Sequence, residues 1–396
     1  MNLRRLLILS AAASTVALTA SVGGLGAASG AASSKKPYVV AAVTTLSGPI
    51  AFAGDALVQG QQAYYNYVNA HGGVHGHQIK LVQADDQATT SAALTATEQV
   101  VRLNGALVIS GSVLTNLESA VLSFVQREGV AMVDQGCDTT IAIKKNKVAF
   151  CASSPEPLEA RPEVNFASKI VGSGKPKVAV INMDSQAQVL LQQNIKNDVT
   201  KKGWNVVYTD TVPLTATDMS AVATAVQQSG ATIVIGSMDT QRIQLFDQSL
   251  RGLGVHIPIV NFDGGASLAT YQALKDPKLY TFSPFGFPSD PGRAMQIYNQ
   301  QMRKIGANPA EGFGINGYVE AMVIVRGLQK CGSSCTAAKF DQAMTKIGAF
   351  PTGGISTVPL RYTATYRFGV SGGVMYAWST SKNKPVKVSG VLRLGA

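Results

Sequence analysis

The stretch from Val39 to Thr89, VVAAVTTLSGPIAFAGDALVQGQQAYYNYVNAHGGVHGHQIKLVQADDQAT, constrains the fold of this chain more than any other. Val39 to Val43 is a short apolar run rich in β-branched residues, Ser47-Gly48-Pro49 breaks it, and a helical pattern begins near Asp55. Leu57, Ala63, Tyr64, Tyr67 and Val68 recur near helical spacing, His71-Gly72-Gly73 ends the helix, and the apolar run Ile79 to Val82 leads to Asp85-Asp86. Strand, helix and strand in that order make one βαβ unit, whose crossover sets the two strands parallel. Ligands of parallel α/β sheets bind beyond the carboxyl ends of the strands, where Ser47 and Asp86 both stand.

The alternation continues along the chain. SAALTATEQVVRLNG reads as a helix ending at Gly105, Ala106 to Ser110 as a buried strand, Leu117, Val121, Leu122 and Val125 as a helical face, and Val130 to Asp134 as the next strand. Val148 to Ser154 leads out of a first domain, with Pro155 and Pro157 marking a helix-poor connection. A second round follows, with helices over Pro162 to Val171, Gln188 to Lys202, Ala221 to Gln228 and Arg242 to Leu253, and strands at KVAVINM, WNVVYTDTV, ATIVIGS and IPIVNFDGG. Phe282 to Pro291 reads as a crossing back to the first domain, which regains helices near Ala294 to Ile305 and Gly317 to Leu328. A third crossing is expected near Thr352 to Leu360, and TATYRFGV and GVMYAWS are expected as two strands closing the second domain. The expected architecture is α/β, with two doubly wound lobes of mainly parallel sheet joined by a three-crossing hinge. Residues 1–34 fall outside it, residues 35–155 and 285–355 form the first lobe, and residues 156–284 and 356–396 the second. About 360 residues is more than one core usually serves, and an apolar fraction of 46% can fill two.

Residues 1–34 carry Arg4 and Arg5, an apolar run from Leu6 to Ala20 and a small-residue tail, the pattern of a secretory signal. The run is shorter than the ~20 residues that span a bilayer, and no comparable run occurs later, so an exported protein is expected. The first cysteine, Cys137, stands too late for lipid attachment at a cleavage site. Net charge is +11, about +9 without Arg4 and Arg5, and the remaining Lys and Arg are scattered, which argues against a nucleic-acid partner. Four cysteines in an exported chain point to two disulfides; three pairings can be drawn, and the local ones, Cys137 with Cys151 and Cys331 with Cys335, are favoured as structural staples.

Catalytic motifs are missing: there is no G-x-S-x-G elbow, no phosphate loop, no H-E-x-x-H, and the loop after the first strand, SGPIAFAGD, lacks dinucleotide glycine spacing. His71, His75 and His77 lie close together, but on a helix-to-strand turn at the edge of the sheet away from the crevice, with no acidic residue between them. They read as a solvated turn, and no metal or cofactor is expected. Asp85 and Asp86 could pair as acid and base, but a strand-end aspartate capping the following helix is the commoner role.

TTLSGP, Gly54-Asp55, NAHGGVHGHQIKLV and ADDQA follow one another in an order and spacing that resemble solute-binding proteins of the branched-chain amino acid type, the substrate-binding components of ABC transporters with the type I periplasmic binding fold. The similarity extends through Val108 to Gly111 and Arg127 to Val133. It implies a ligand carboxylate held by loops after the third and fourth strands, here Thr115 and Asn116, and Gly136 to Asp138, with Ser47 on the first loop. It also implies that a ligand ammonium meets Asp263, whose alternative reading is a turn aspartate before two glycines. The sequence departs from the type at Ala187 and Met238, where amino acid binders carry aromatics, and at Asp138, where they carry a hydroxyl. An aspartate ~4 Å from a carboxylate would repel it by ~4 kcal/mol at an effective dielectric near 20, so either Asp138 turns away or the solute is not a simple amino acid.

The expected function is that of an extracellular solute receptor, without catalysis, that takes an amino acid or related small polar solute between its lobes and delivers it to a membrane permease and its ATPase. A secreted α/β enzyme and a sensory ligand-binding module without transport are the alternatives.

Overall fold

The protein is described here by a computed structural model that covers residues 35–135, 137 and 148–395. The signal segment expected at residues 1–34, together with Gly136 and Asp138, lies outside the described residues.

The first lobe starts as β1 (Lys35–Thr44), α1 (Ala51–Ala70), β2 (His77–Asp85), α2 (Thr90–Arg102), β3 (Val108–Ser110), α3 (Thr115–Glu128), β4 (Ala131–Asp134) and β5 (Ala149–Cys151). Its five strands are all parallel, in the order β2-β1-β3-β4-β5. After α4 (Ala160–Val171), the second lobe repeats the rhythm through β6 (Lys177–Met183), α5 (Gln186–Lys201), β7 (Asn205–Val212), α6 (Ser220–Ser229), β8 (Ile233–Ser237), α7 (Thr240–Gly252), β9 (Ile259–Asn261), α8 (Leu268–Leu274) and β10 (Leu279–Ser283). Strands β7-β6-β8-β9-β10 are parallel and take the same winding as the first sheet, so the order reverses between β1 and β3 in one lobe and between β6 and β8 in the other. These reversals open a crevice at the carboxyl ends of both sheets.

The chain then returns to the first lobe as α9 (Arg293–Lys304), α10 (Gly312–Cys331) and α11 (Ala337–Met344), whose Met295, Tyr298, Val319, Ile324 and Phe340 fill the core beneath β1, β3 and β4. Helices α1 and α10 pack backbone to backbone. A Cβ at Gly60 would overlap the Gly314 carbonyl oxygen, and one at Gly317 would overlap that of Leu57, so close approach requires glycine at both positions. The buried Gln61 amide spans this contact, donating to Glu320 at 2.7 Å and to Ser110 at 3.1 Å, while Glu320 accepts the Gly111 N–H at 2.9 Å.

The carboxyl-terminal part differs from the sequence reading. TATYRFGV does not join the second sheet: β11 (Gly348–Phe350), β12 (Leu360–Thr363) and β13 (Tyr366–Gly369) form a separate antiparallel sheet. Leu360, Tyr362 and Val370 are buried in the first core, and the Tyr362 hydroxyl donates to the Cys151 carbonyl at 2.8 Å. The reason is apolar patterning: Tyr362 packs edge-on against Phe150 and is buried in the first core. Only β14 (Gly372–Ser379), β15 (Lys384–Lys387) and β16 (Leu392–Arg393) close the second sheet, and they do so antiparallel. Two of the crossings pair with each other, Gly286 N to Ile355 O and Thr357 N to Pro284 O, both at 2.8 Å.

Candidate functional site

Strand-end loops from both lobes converge on one cleft. The first lobe contributes Ile50 and Phe52 after β1, Val113 and Leu114 after β3, Gln135 after β4, and Phe313 and Asn316 from the start of α10. Ser153 and Ser154 come from the first crossing. The second lobe adds Gln188 from the first turn of α5, Leu214 after β7, Asp239 after β8, and Phe262 to Gly264 after β9. One wall is therefore aromatic and aliphatic and the other is polar, as small-molecule sites commonly are.

The polar wall is acidic. Asp263 sits in a single 3₁₀ turn, Asp263–Gly265, where its Oδ2 accepts the Ser153 hydroxyl at 3.1 Å and faces that of Ser154 at 3.4 Å. Its backbone N–H donates to Glu159 at 3.1 Å, and Glu159 also accepts the Ser154 hydroxyl in a very short contact. Glu156 and Glu163 complete the group, and burial together with the charge of Asp263 pushes the Glu156 carboxyl up to about 8. Burial also raises Asp263 to about 6, against the serine hydroxyls that lower it, and drives Glu159 and Glu163 well above the usual carboxylate range. Asp239 is different. It caps α7 through the Gln241 and Arg242 N–H groups at 3.0 and 2.8 Å and pairs with the buried Arg242 guanidinium at 3.0 Å.

Of the residues singled out in the sequence, Asp263 lines the cleft. Ser47 is exposed and hydrogen-bonded to Asp85. Asn116 is exposed in the first turn of α3, and Thr115 is buried there with its hydroxyl unpartnered, while their neighbours Val113 and Leu114 face the cleft. Ala187 and Met238 are buried in the second lobe; the next residue in each case, Gln188 or Asp239, reaches the cleft. Asp86 does not cap α2. Gln87 and Ala88 intervene with positive φ, Thr89 makes the cap, and Asp86 instead accepts the Thr45 hydroxyl at 2.6 Å and the Ala88 N–H at 2.9 Å. Cys137 is bonded to Cys151 and Cys331 to Cys335, with Cα separations of 5.5 and 5.4 Å.

The turn histidines bind backbone carbonyls. His75 meets Gln329 O and His77 meets Ser333 O, each at 3.0 Å, which ties the β2 turn to the loop closed by Cys331 and Cys335. Glu156, Gln135 and Gln188 were not singled out from sequence. The available signal was the spacing of Glu156, Glu159 and Glu163, which puts three acids on one helical face of a segment that must pack.

Comparison with known proteins agrees with this fold. Leu/Ile/Val-binding protein homolog 3 of Brucella melitensis is 26% identical over 339 residues, 84% of this chain and 88% of that one. The structure of a branched-chain amino acid ABC transporter protein from Thermus thermophilus with bound valine superposes with a TM-score of 0.82 at 14% identity, covering 90% of this chain and 97% of the other. A solute-binding protein from R. palustris in complex with 4-hydroxybenzoate gives 0.77 at 17% identity, covering 91% and 98%. Residues 37–379 match the family model described as periplasmic binding protein, and the chain belongs to that family.

Proposed function

We propose that this chain is the exported solute receptor of an ABC uptake system, which holds an amino acid or related small polar solute between its lobes and passes it unchanged to a membrane permease and ATPase. The observation that carries this reading is the cleft itself, built from the strand-end loops of both lobes around the half-buried Asp263. Such a site is completed only when the lobes approach, so contacts made in the closed form drive closure. Relatives named for Leu/Ile/Val binding, and neighbours holding valine or 4-hydroxybenzoate, support a small solute of this size.

A thermal-shift screen of amino acids, amides, amines and aromatic acids tests the reading. A solute at a hundred times its Kd raises stability by about 2.7 kcal/mol, several degrees in melting temperature. The reading expects at least one such shift, with the solute recovered intact afterwards; chemical conversion of the solute would replace the receptor with an enzyme.

A further inference from the structure

The cleft holds hydrogen-bond acceptors that no group among the described residues satisfies. Gln135 donates its amide nitrogen to the Asn316 carbonyl at 3.1 Å and Gln188 donates to Glu156, which leaves the Oε1 of both glutamines without a partner in residues only 7% exposed. Oε2 of Glu156 is likewise buried and unpaired. These atoms come from separate elements of opposite lobes, yet all belong to residues lining the same cleft. A buried acceptor left unsatisfied is costly, so a donor is expected to arrive from outside.

Among the described residues, positive charge is missing from the same place. No Lys, Arg or His is found among the described residues that line the cleft, and the Arg242 guanidinium is engaged by Asp239, Gln241 and the Leu214 carbonyl. The hydroxyls of Ser153 and Ser154, which could hold an anion, are taken by Asp263 and Glu159. Across the cleft lie Phe52, Leu114 and Phe313, an apolar wall without charge.

Resting on the receptor reading, we propose that the solute is an amphipathic organic cation, an amine or amidine with no carboxylate beside its charge, which gives its N–H donors to Glu156, Gln188 and Asp263 and lays its apolar body against Phe52 and Phe313. Its charge replaces the protons that burial holds on the empty site, so binding releases protons and tightens as pH rises between about 6 and about 8. Glu156 faces Asp263 of the 3₁₀ turn and the neutral Gln188 of α5; Glu159, just before α4, and Glu163 within it act on that same Asp263, with Asp239 elsewhere on the lining. All the titratable groups in that set are acids, and no base among them reverses the sign. A carboxylate solute would show the opposite trend, because it would need those acids protonated.

Calorimetry on the signal-free chain at pH 6 and pH 8, with benzylamine, benzamidine and 1,4-diaminobutane against leucine and benzoate, decides the matter. At least one of the three cations is expected to bind, at least tenfold more tightly at pH 8. Glu156→Gln should remove most of that difference, and Asp263→Asn serves the same purpose if the first variant folds poorly. Silence of all three cations, or binding of leucine or benzoate that strengthens at pH 6, would overturn the proposal. Solution scattering on the same samples separates the two readings: a cation bound without compaction keeps the cation assignment and removes the receptor, and a carboxylate bound with compaction does the reverse.

Discussion

Gathering Glu156, Glu159, Glu163 and Asp263 in one buried place has a pH-dependent cost. Each carboxyl is raised in the folded state, so between its ordinary value and its folded value the native chain binds more protons than the unfolded one, and stability falls as pH rises. For Glu156 that window runs from the usual glutamate range up to about 8. Solute-free protein is therefore expected to melt at a lower temperature at pH 8.5 than at pH 5.5, and Glu156→Gln should flatten the difference in a calorimetric scan; an unchanged slope would show that Glu156 does not titrate in this window. Asp263→Ala should lower solute affinity at least tenfold, about 1.4 kcal/mol, by calorimetry, because a charge-assisted contact is lost. Asp263 was legible in the sequence because the family resemblance places an acidic residue at that strand end of the second lobe. Gln135 and Gln188 were not, since a glutamine after a strand carries no signal until the fold shows which way it faces.

Among the elements, the α1 and α10 pair carries the first lobe. Gly317→Ala is expected to cost about 1–3 kcal/mol in denaturant unfolding, because the new methyl meets the Leu57 backbone, which cannot swing aside as a side chain would. A cost below a few tenths would mean that the helices can separate without loss. The disulfide between Cys331 and Cys335 closes a short loop at the end of α10, where Tyr38 donates to Gly332 O at 3.1 Å and stacks on His77. Mass spectrometry of protein collected from the medium should find both cysteine pairs oxidised, with Cys331→Ser and Cys335→Ser melting only slightly lower, since a loop this short removes little chain entropy. Periodicity located most of the helices and parallel strands to within a few residues, but not α8, β10 or α11. It failed at β12 and β13, because alternation shows that a strand is amphipathic but not which of two cores receives its apolar face.

At the scale of the whole molecule, two sheets with the same winding present their carboxyl ends to one cleft, and three crossings join the lobes beside it. That much follows from a repeated βαβ rhythm and from chain length, which is why the architecture was readable before the site. The solute was not readable, since specificity resides in side chains brought together from six separate loops or more. The central claim is that occupation of this cleft brings the lobes together. Small-angle X-ray scattering of the signal-free chain, with and without a solute found by thermal shift, tests it most directly: the account predicts a smaller radius of gyration on saturation, reached in the Asp263→Ala variant only at a solute concentration at least tenfold higher. Saturated binding with an unaltered scattering curve in the wild-type chain would contradict it.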